Sequence, residues 1–193
     1  TLDGSQTHKL VLEGLFGTVE KVVSTKELID KNTLANLKIK CIVLKHPTKK
    51  ERMDYAEEIN YIVAKESRNN FILELCNNIG GNTLCLYQLV EKHGKILYEG
   101  MKGSENVYFV YGGTDTEQRE RIRGLVEGHK NSTTIASYGT FSTGINIRNI
   151  NNIVLASPSK SKIRVLQSIG RGLRTSSTKD SILIFDIADD ISY

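Results

Sequence analysis

The sequence has 193 residues, enough for one α/β domain with a short extension but too few for two complete domains. Hydrophobic residues make up 39% and charged residues 25% of the chain, a balance that excludes disordered and fibrous proteins. The formal net charge of +4 permits a polyanionic partner without requiring one.

Simple patterns exclude several further classes. No stretch approaches the roughly 18 apolar residues of a membrane span, and no signal-peptide pattern is present, so we expect a soluble cytoplasmic protein with no membrane partner. Cys41, Cys76 and Cys85 lack CxxC spacing, and the four histidines are scattered, so neither a disulfide framework nor a metal site is predicted. Because the first residue is Thr1 rather than methionine, we interpret the chain as part of a longer reading frame.

The first predicted elements precede residue 80. Ser24 and Glu27 have capping-box spacing, which predicts a short helix ending near Asn32. Residues 38–44 alternate as a strand does, and an exposed loop is predicted from Pro47. Two helices then follow, with apolar positions Ile59, Ile62 and Val63 in the first and Phe71, Ile72, Leu75, Cys76 and Ile79 in the second.

Beyond that point, short apolar runs alternate with segments of helical length. The predicted strands are residues 83–87, 107–111, 133–137, 153–156 and 181–186. The alternation predicts an α/β domain, a mostly parallel sheet with helices on both faces. Ligands of such sheets bind beyond the carboxyl ends of the strands, where we expect the functional residues. Asp189 and Asp190 are predicted to form an acidic turn after the last strand.

The sharpest motif is Gln-Ser-Ile-Gly-Arg-Gly-Leu-Arg over residues 167–174, on a helix predicted to begin after residue 160. Gln167, Arg171 and Arg174 fall on one face of that helix. The apolar residues expected to pack lie about a third of a turn away. They are Ile163, Leu166, Ile169 and Leu173.

This helix has the residue types that phosphate chemistry needs. Guanidinium groups stay charged and fork onto phosphate oxygens, so Arg171 and Arg174 suit a transferring phosphoryl group. Gly170 and Gly172 would permit close backbone approach. Without further context, a basic surface helix would explain the motif equally well.

A second motif precedes it, over residues 135–147. A strand runs there into Ser-Tyr-Gly-Thr-Phe-Ser-Thr-Gly-Ile-Asn, which we interpret as a loop of hydroxyl residues and glycines. Such loops offer backbone N–H groups and hydroxyls to phosphates, although an ordinary turn is the alternative.

The two motifs in this order resemble motifs V and VI of superfamily-two helicases. Residues 83–88 resemble motif IV of that superfamily, and Tyr111-Gly112-Gly113 with Arg119 resembles its strand-end glycine and following arginine. Over essentially its whole length the chain is similar to the phage UvsW-type recombination helicases. The resemblance implies a second RecA-like domain over residues 38–193, preceded by a connecting segment, residues 1–37, from a first RecA-like domain.

The resemblance also implies roles for single residues. Arg171 and Arg174 would face the ATP γ-phosphate with support from Gln167. Residues beside the nucleotide would be Gly144, Asn146 and Gly170, with Asn146 standing where relatives often have Asp. Residues on or near the nucleic-acid path would be Gln88, Gly112, Tyr138, Thr140 and Ser142.

The implied activity is that of an ATP-dependent DNA helicase or translocase acting on branched or forked DNA in recombination and repair. ATP with Mg²⁺ would be bound mainly by the first RecA-like domain, because the sequence contains no Gly-x-x-x-x-Gly-Lys-[Ser/Thr] loop. Two alternatives stay open at this point. One is an ATP-independent nucleic-acid-binding module with a motor-domain fold, and the other is the motor part of a restriction enzyme.

Overall fold

A computed structural model of the chain describes residues 6–18, 20, 22–31, 33–50, 53–144, 146–174 and 179–192. The side chains of 6–8, 47–50, 142–144 and 192 are outside that description. Within the described ranges, no helix combines the length and the apolar character needed to cross a membrane.

A parallel sheet of six strands forms the centre of the described structure. The strands are β1 (Asn36–Lys50), β2 (Asn82–Tyr87), β3 (Val107–Val110), β4 (Ser132–Ser137), β5 (Asn152–Leu155) and β6 (Ser181–Ser192). Their order across the sheet is β1-β6-β5-β2-β4-β3, and all neighbouring pairs are parallel. The central strand β2 is buried along its whole length, as expected of a strand covered on both faces.

Helices connect the strands. They are α1 (Gln6–Phe16), α2 (Thr25–Asp30), α3 (Tyr55–Ala64), α4 (Glu66–Asn78), α5 (Lys95–Gly100), α6 (Thr116–Gly128), α7 (Tyr138–Gly144) and α8 (Lys162–Gly172). A π-helical turn, Val90–Gly94, leads into α5. The predicted capping box of α2 is confirmed, because the side chains of Ser24 and Glu27 each bond the other's backbone N–H.

Two hydrophobic cores lie on opposite faces of the sheet. One contains Ile72 of α4 and Leu97 of α5. The other contains Val126 of α6, Phe141 of α7 and Leu173 just after α8. The prediction of a parallel sheet with helices on both faces is therefore confirmed.

Two loops predicted from the sequence are part of regular elements instead. β1 continues through Pro47 to Lys50, because it is an edge strand on which a missing N–H group is tolerated. Residues after Ser137 form α7, whose side chains Tyr138 and Phe141 are both buried. Burial of these two aromatic side chains outweighs the low helix propensity of the glycines and hydroxyl residues.

The strand order places a crevice in the middle of the sheet. The chain leaves β2 toward α5 on one face, whereas it leaves the neighbouring strand β5 toward α8 on the other. Connections that diverge in this way open a crevice at the carboxyl ends of the two strands. The segments after Tyr87 and Leu155 border it.

Candidate functional site

Helix α8 is held tightly against the sheet along a stripe of small residues. Ser168 is fully buried, and a Cβ added to Gly172 would lie 2.4 Å from the Cδ1 atom of Ile182 and 2.8 Å from that of Ile153. Gly172 is therefore required for the close approach of helix and sheet. The expectation that Leu166 packs is wrong, because its side chain is 55% exposed.

The other side of α8 carries the predicted phosphate-binding residues. Gln167 and Gly170 are exposed, and Arg171 is half-buried in the last turn. Space near Gly170 is open, because a Cβ added there would meet no atom within 4 Å. A ligand could therefore approach the backbone of α8 at this residue.

Arg174 lies beyond the end of α8 rather than on the helix as predicted. Leu173 ends the helix and accepts a 2.8 Å hydrogen bond from the N–H of Ala35, while Arg174 forms an antiparallel bridge with Leu34. The exposed guanidinium donates a hydrogen bond to the side-chain oxygen of Asn146. The structure thus joins one residue of each predicted motif.

A buried lysine lies at the carboxyl end of α8. The Nζ atom of Lys179 donates a hydrogen bond to the carbonyl oxygen of Gly172, one of the last-turn carbonyls that lack a partner within the helix. Lys179 is only 2% exposed, and burial lowers the pKa of its amine to about 8. This residue supports the helix end that carries Arg171.

Removing this amine should change how stability depends on pH. The folded-state pKa of Lys179, about 8, is below its ordinary value of 10.5, so between these values the unfolded chain binds more protons and stability rises with pH. We expect the free energy of unfolding of wild type minus that of Lys179→Met to increase from pH 8 to pH 10. Urea unfolding of both proteins measures it, and a constant difference would contradict the assignment.

The predicted nucleic-acid residues of α7 are mostly inside the domain. Tyr138 is buried and donates its hydroxyl proton to the carbonyl oxygen of Ser157 at 2.8 Å. Thr140 is buried and its hydroxyl lies 2.7 Å from that of Ser137. These two side chains are therefore not available for surface contacts. Gly144 ends α7, and the side chain of Ser142 lies outside the described residues.

Gln88 follows β2 and Gly112 follows β3, so both residues lie at the carboxyl ends of the parallel strands. Both residues are exposed. The backbone N–H of Gln88 donates to the hydroxyl of Ser157 at 3.2 Å, and the carbonyl of Gly112 accepts from Arg119 at 3.0 Å. Their backbones are thus fixed while the Gln88 side chain stays free to contact a ligand.

A buried ion pair near this edge was missed by the sequence predictions. Nε of Arg68 contacts Oδ2 of Asp189 at 2.9 Å, and Nε2 of His46 lies 2.9 Å from Oδ1 of the same carboxylate. All of these side chains are at most 3% exposed. The predicted acidic turn is therefore wrong: β6 continues through Asp189, whose carboxylate is an internal partner for two basic groups.

No group of three His, Cys, Asp or Glu side chains that could hold a metal ion occurs among the described residues. At the end of α8 the chain offers the guanidinium groups of Arg171 and Arg174 and the open backbone at Gly170. Such a set fits an anionic phosphate ligand.

Comparison with known proteins identifies the family. The model of the helicase conserved C-terminal domain matches residues 65–176, which include both motifs. The chain belongs to this family. In this helicase domain, the hydrogen bond from Arg174 to Asn146 connects the two motifs.

A phage helicase is similar to nearly the whole chain. The ATP-dependent DNA helicase UvsW of Enterobacteria phage T4 is 38% identical over 184 residues, which are 91% of this helicase domain and 36% of the phage protein. The crystal structure of T4 UvsW superimposes with a TM-score of 0.67 and 35% identity, covering 82% of this chain and 33% of that one. The chain therefore spans about a third of the phage protein.

A more distant structure shares the fold. Saccharomyces cerevisiae Dbp5 bound to RNA and ADP BeF3 matches with a TM-score of 0.58 and 13% identity over 96% of this chain and 43% of Dbp5. At this identity the match supports the architecture alone. The predicted RecA-like fold of a second helicase domain is confirmed by these matches.

Proposed function

We propose that the chain is the second motor domain of an ATP-dependent DNA helicase or translocase. The observation that carries this proposal is the contact between Arg174 and Asn146. It joins the segments that resemble motifs V and VI in a chain 38% identical to a phage DNA helicase. The resemblance to UvsW-type recombination helicases extends the proposal to branched or forked DNA in recombination and repair. The domain would act with a first RecA-like domain of the same polypeptide.

Within that pair, this domain supplies positive charge to the nucleotide. Arg171 and Arg174 would act as arginine fingers that stabilise the charge developing on the γ-phosphate, with Gln167 holding the site in place. Gly144, Asn146 and Gly170 would lie beside the nucleotide. The open space at Gly170 and the exposed guanidinium of Arg174 support this arrangement.

We assign Mg²⁺ and most of the nucleotide contacts to the first RecA-like domain. The sequence has no phosphate-binding loop of the P-loop kind, and the described residues have no carboxylate cluster for a metal. Mg²⁺ bound with ATP would neutralise phosphate charge there. In this chain the corresponding task is to place two guanidinium groups and withdraw them when the domains separate.

DNA would run along the carboxyl edge of the sheet, where Gln88 and Gly112 are exposed. The backbone at the start of α7 and the hydroxyl of Ser142 would add contacts. Tyr138 and Thr140 would support the backbone of α7 from inside the domain, since their side chains are buried. Alternating closure of the two domains would then step them along the strand.

Because the proposed P-loop belongs to the first RecA-like domain, we expect that the 193-residue chain alone does not hydrolyse ATP. The complete reading frame should encode a P-loop domain upstream and show DNA-stimulated hydrolysis. Phosphate release by both proteins, with and without single-stranded DNA, measures this. Stimulated hydrolysis by the isolated chain would refute the assignment of the P-loop to a separate domain. A complete reading frame without a P-loop would leave an ATP-independent binding module instead.

A further inference from the structure

A chain of hydrogen bonds lies buried under the crevice between β2 and β5. It links Asn69 of α4, His93 of the π-helical turn, Ser157 after β5 and the backbone of Gln88 after β2. Asn69, His93 and Ser157 are at most 3% exposed. Such a complete internal polar network is costly to bury and specifies one arrangement of the elements it joins.

The direction of each bond in this network follows from its ends. The amide of Asn69 donates to the carbonyl oxygen of Val63 at 2.9 Å, so its oxygen faces Nε2 of His93 at 3.2 Å as an acceptor. His93 is neutral, because burial and the nearby Arg68 charge lower its pKa to about 3. Its Nε2–H therefore donates to Asn69, and its Nδ1 must accept from a donor.

That donor is the hydroxyl of Ser157, 2.7 Å from Nδ1 of His93. Because its only proton is directed at the histidine, the Ser157 oxygen is left as an acceptor, and the N–H of Gln88 donates to it at 3.2 Å. The position of the Gln88 backbone is thus fixed through Ser157 by two residues that never reach the surface.

Ser157 also holds the start of α7. Its carbonyl oxygen accepts the hydroxyl proton of Tyr138 at 2.8 Å, while its N–H donates to the carbonyl oxygen of Leu86 at 3.3 Å. One serine therefore contacts the ends of the two segments proposed to bind DNA, after β2 and after β4. Ser157 follows a predicted strand at the carboxyl ends of the sheet, where functional residues are expected, but no sequence motif assigns it a role.

The π-helical turn places His93 for this role. The backbone N–H groups of His93 and Gly94 both donate to the carbonyl oxygen of Leu89, at 3.1 and 2.9 Å respectively. A Cβ at Gly94 would lie 2.4 Å from the ring of Tyr87, so only glycine lets the turn pack so closely on β2. Turns of this kind are frequent at functional sites.

We propose that Ser157, oriented by His93, is a positioning residue that fixes the Gln88 and α7 segments in their DNA-binding arrangement. This inference rests on the proposed function. Replacing Ser157 by alanine removes one hydroxyl, so the N–H of Gln88 and Nδ1 of His93 each lose a partner. We expect the free energy of one neutral hydrogen bond to appear as about a three- to tenfold weaker DNA affinity, because the released segments must be ordered again when DNA binds.

The experiment uses the complete protein and a fluorescent single-stranded oligothymidylate. Ser157→Ala should raise the Kd about three- to tenfold while ATP turnover at saturating DNA and the KM for ATP stay within about twofold. His93→Leu, which fills the buried space without an acceptor, should shift the Kd in the same direction and serves if Ser157→Ala folds poorly.

Ser132, the first residue of β4, provides a matched control at the amino ends of the strands. Ser132 is buried, and its hydroxyl donates to the side-chain oxygen of Asn82 at 2.7 Å. Ser132→Ala should lower the unfolding midpoint by an amount comparable to Ser157→Ala and leave the DNA Kd unchanged. A Kd for Ser157→Ala close to that of wild type, or an equal shift in Ser132→Ala, overturns the inference.

The oligonucleotide measurement separates this inference from the motor proposal. A wild-type protein that binds DNA but shows no DNA-stimulated hydrolysis refutes the motor proposal, and the Kd comparison among the variants still decides the role of Ser157. A wild-type protein that does not bind the oligonucleotide refutes both.

Discussion

Replacing Arg171 or Arg174 by alanine in the complete protein should lower ATP turnover by about 10³- to 10⁵-fold, the contribution typical of an arginine finger. The reason is that each guanidinium would stabilise charge that develops only during phosphoryl transfer, so its loss reduces kcat rather than nucleotide binding. Arg174 also anchors Asn146, and its removal leaves that amide without this donor. Steady-state phosphate release at saturating DNA measures the effect.

DNA affinity provides the internal check on these two variants, because neither arginine is assigned to the DNA path. We expect the Kd for single-stranded DNA to stay within about threefold of wild type, a difference below about 1 kcal/mol. Arg121, an exposed arginine of α6, supplies a matched control, and Arg121→Ala should retain wild-type turnover. Near-normal turnover in Arg171→Ala and Arg174→Ala would remove the arginine-finger assignment.

The largest loss of stability is expected from Arg68→Met. This change leaves the carboxylate of Asp189 buried with His46 but without its guanidinium partner, and it also removes the 2.8 Å hydrogen bond from Arg68 to the carbonyl oxygen of Ala156. An uncompensated buried charge of this kind costs about 3–5 kcal/mol. Urea unfolding of the 193-residue chain followed by circular dichroism measures the loss.

Arg123 offers the matched comparison, because it forms ion pairs with Glu120 and Glu127 on the surface of α6, where its side chain is 34% exposed. Arg123→Met should cost far less stability than Arg68→Met, since solvent screens such pairs. The double variant Arg68→Met with Asp189→Leu should recover part of the loss, because the buried carboxylate and the guanidinium are removed together and only His46 loses a partner. Equally small losses of unfolding free energy in Arg68→Met and Arg123→Met would contradict the large cost assigned to breaking the buried ion pair.

Much of the sheet could be predicted from the sequence, because strands covered on both faces consist of short apolar runs. All five strands predicted after residue 80 are present. The family resemblance placed Asn146 and Arg174 near one nucleotide, but it predicted no contact between them. No spacing rule connects a loop to the residue after a distant helix. Their hydrogen bond joins residues 28 positions apart.

Long-range burial explains what the sequence could not predict. Asp189 looked like part of an exposed acidic turn because its partner Arg68 is 121 positions away. His93 and Ser157 are 64 positions apart, and nothing in the local sequence of either indicates the other. The helix α7 was predicted as a loop because the burial of Tyr138 and Phe141 depends on the completed core.

The position of β1 has a consequence for how the domain is made. In the described sheet β1 pairs only with β6, with Asn36 opposite Ser181, so its sole neighbour is the last of the described strands to leave the ribosome. Contacts so distant along the chain close slowly, and an exposed strand edge can pair with other chains. During translation β1 therefore has no neighbouring strand among those described until β6 has been synthesised, and only then can it join the sheet.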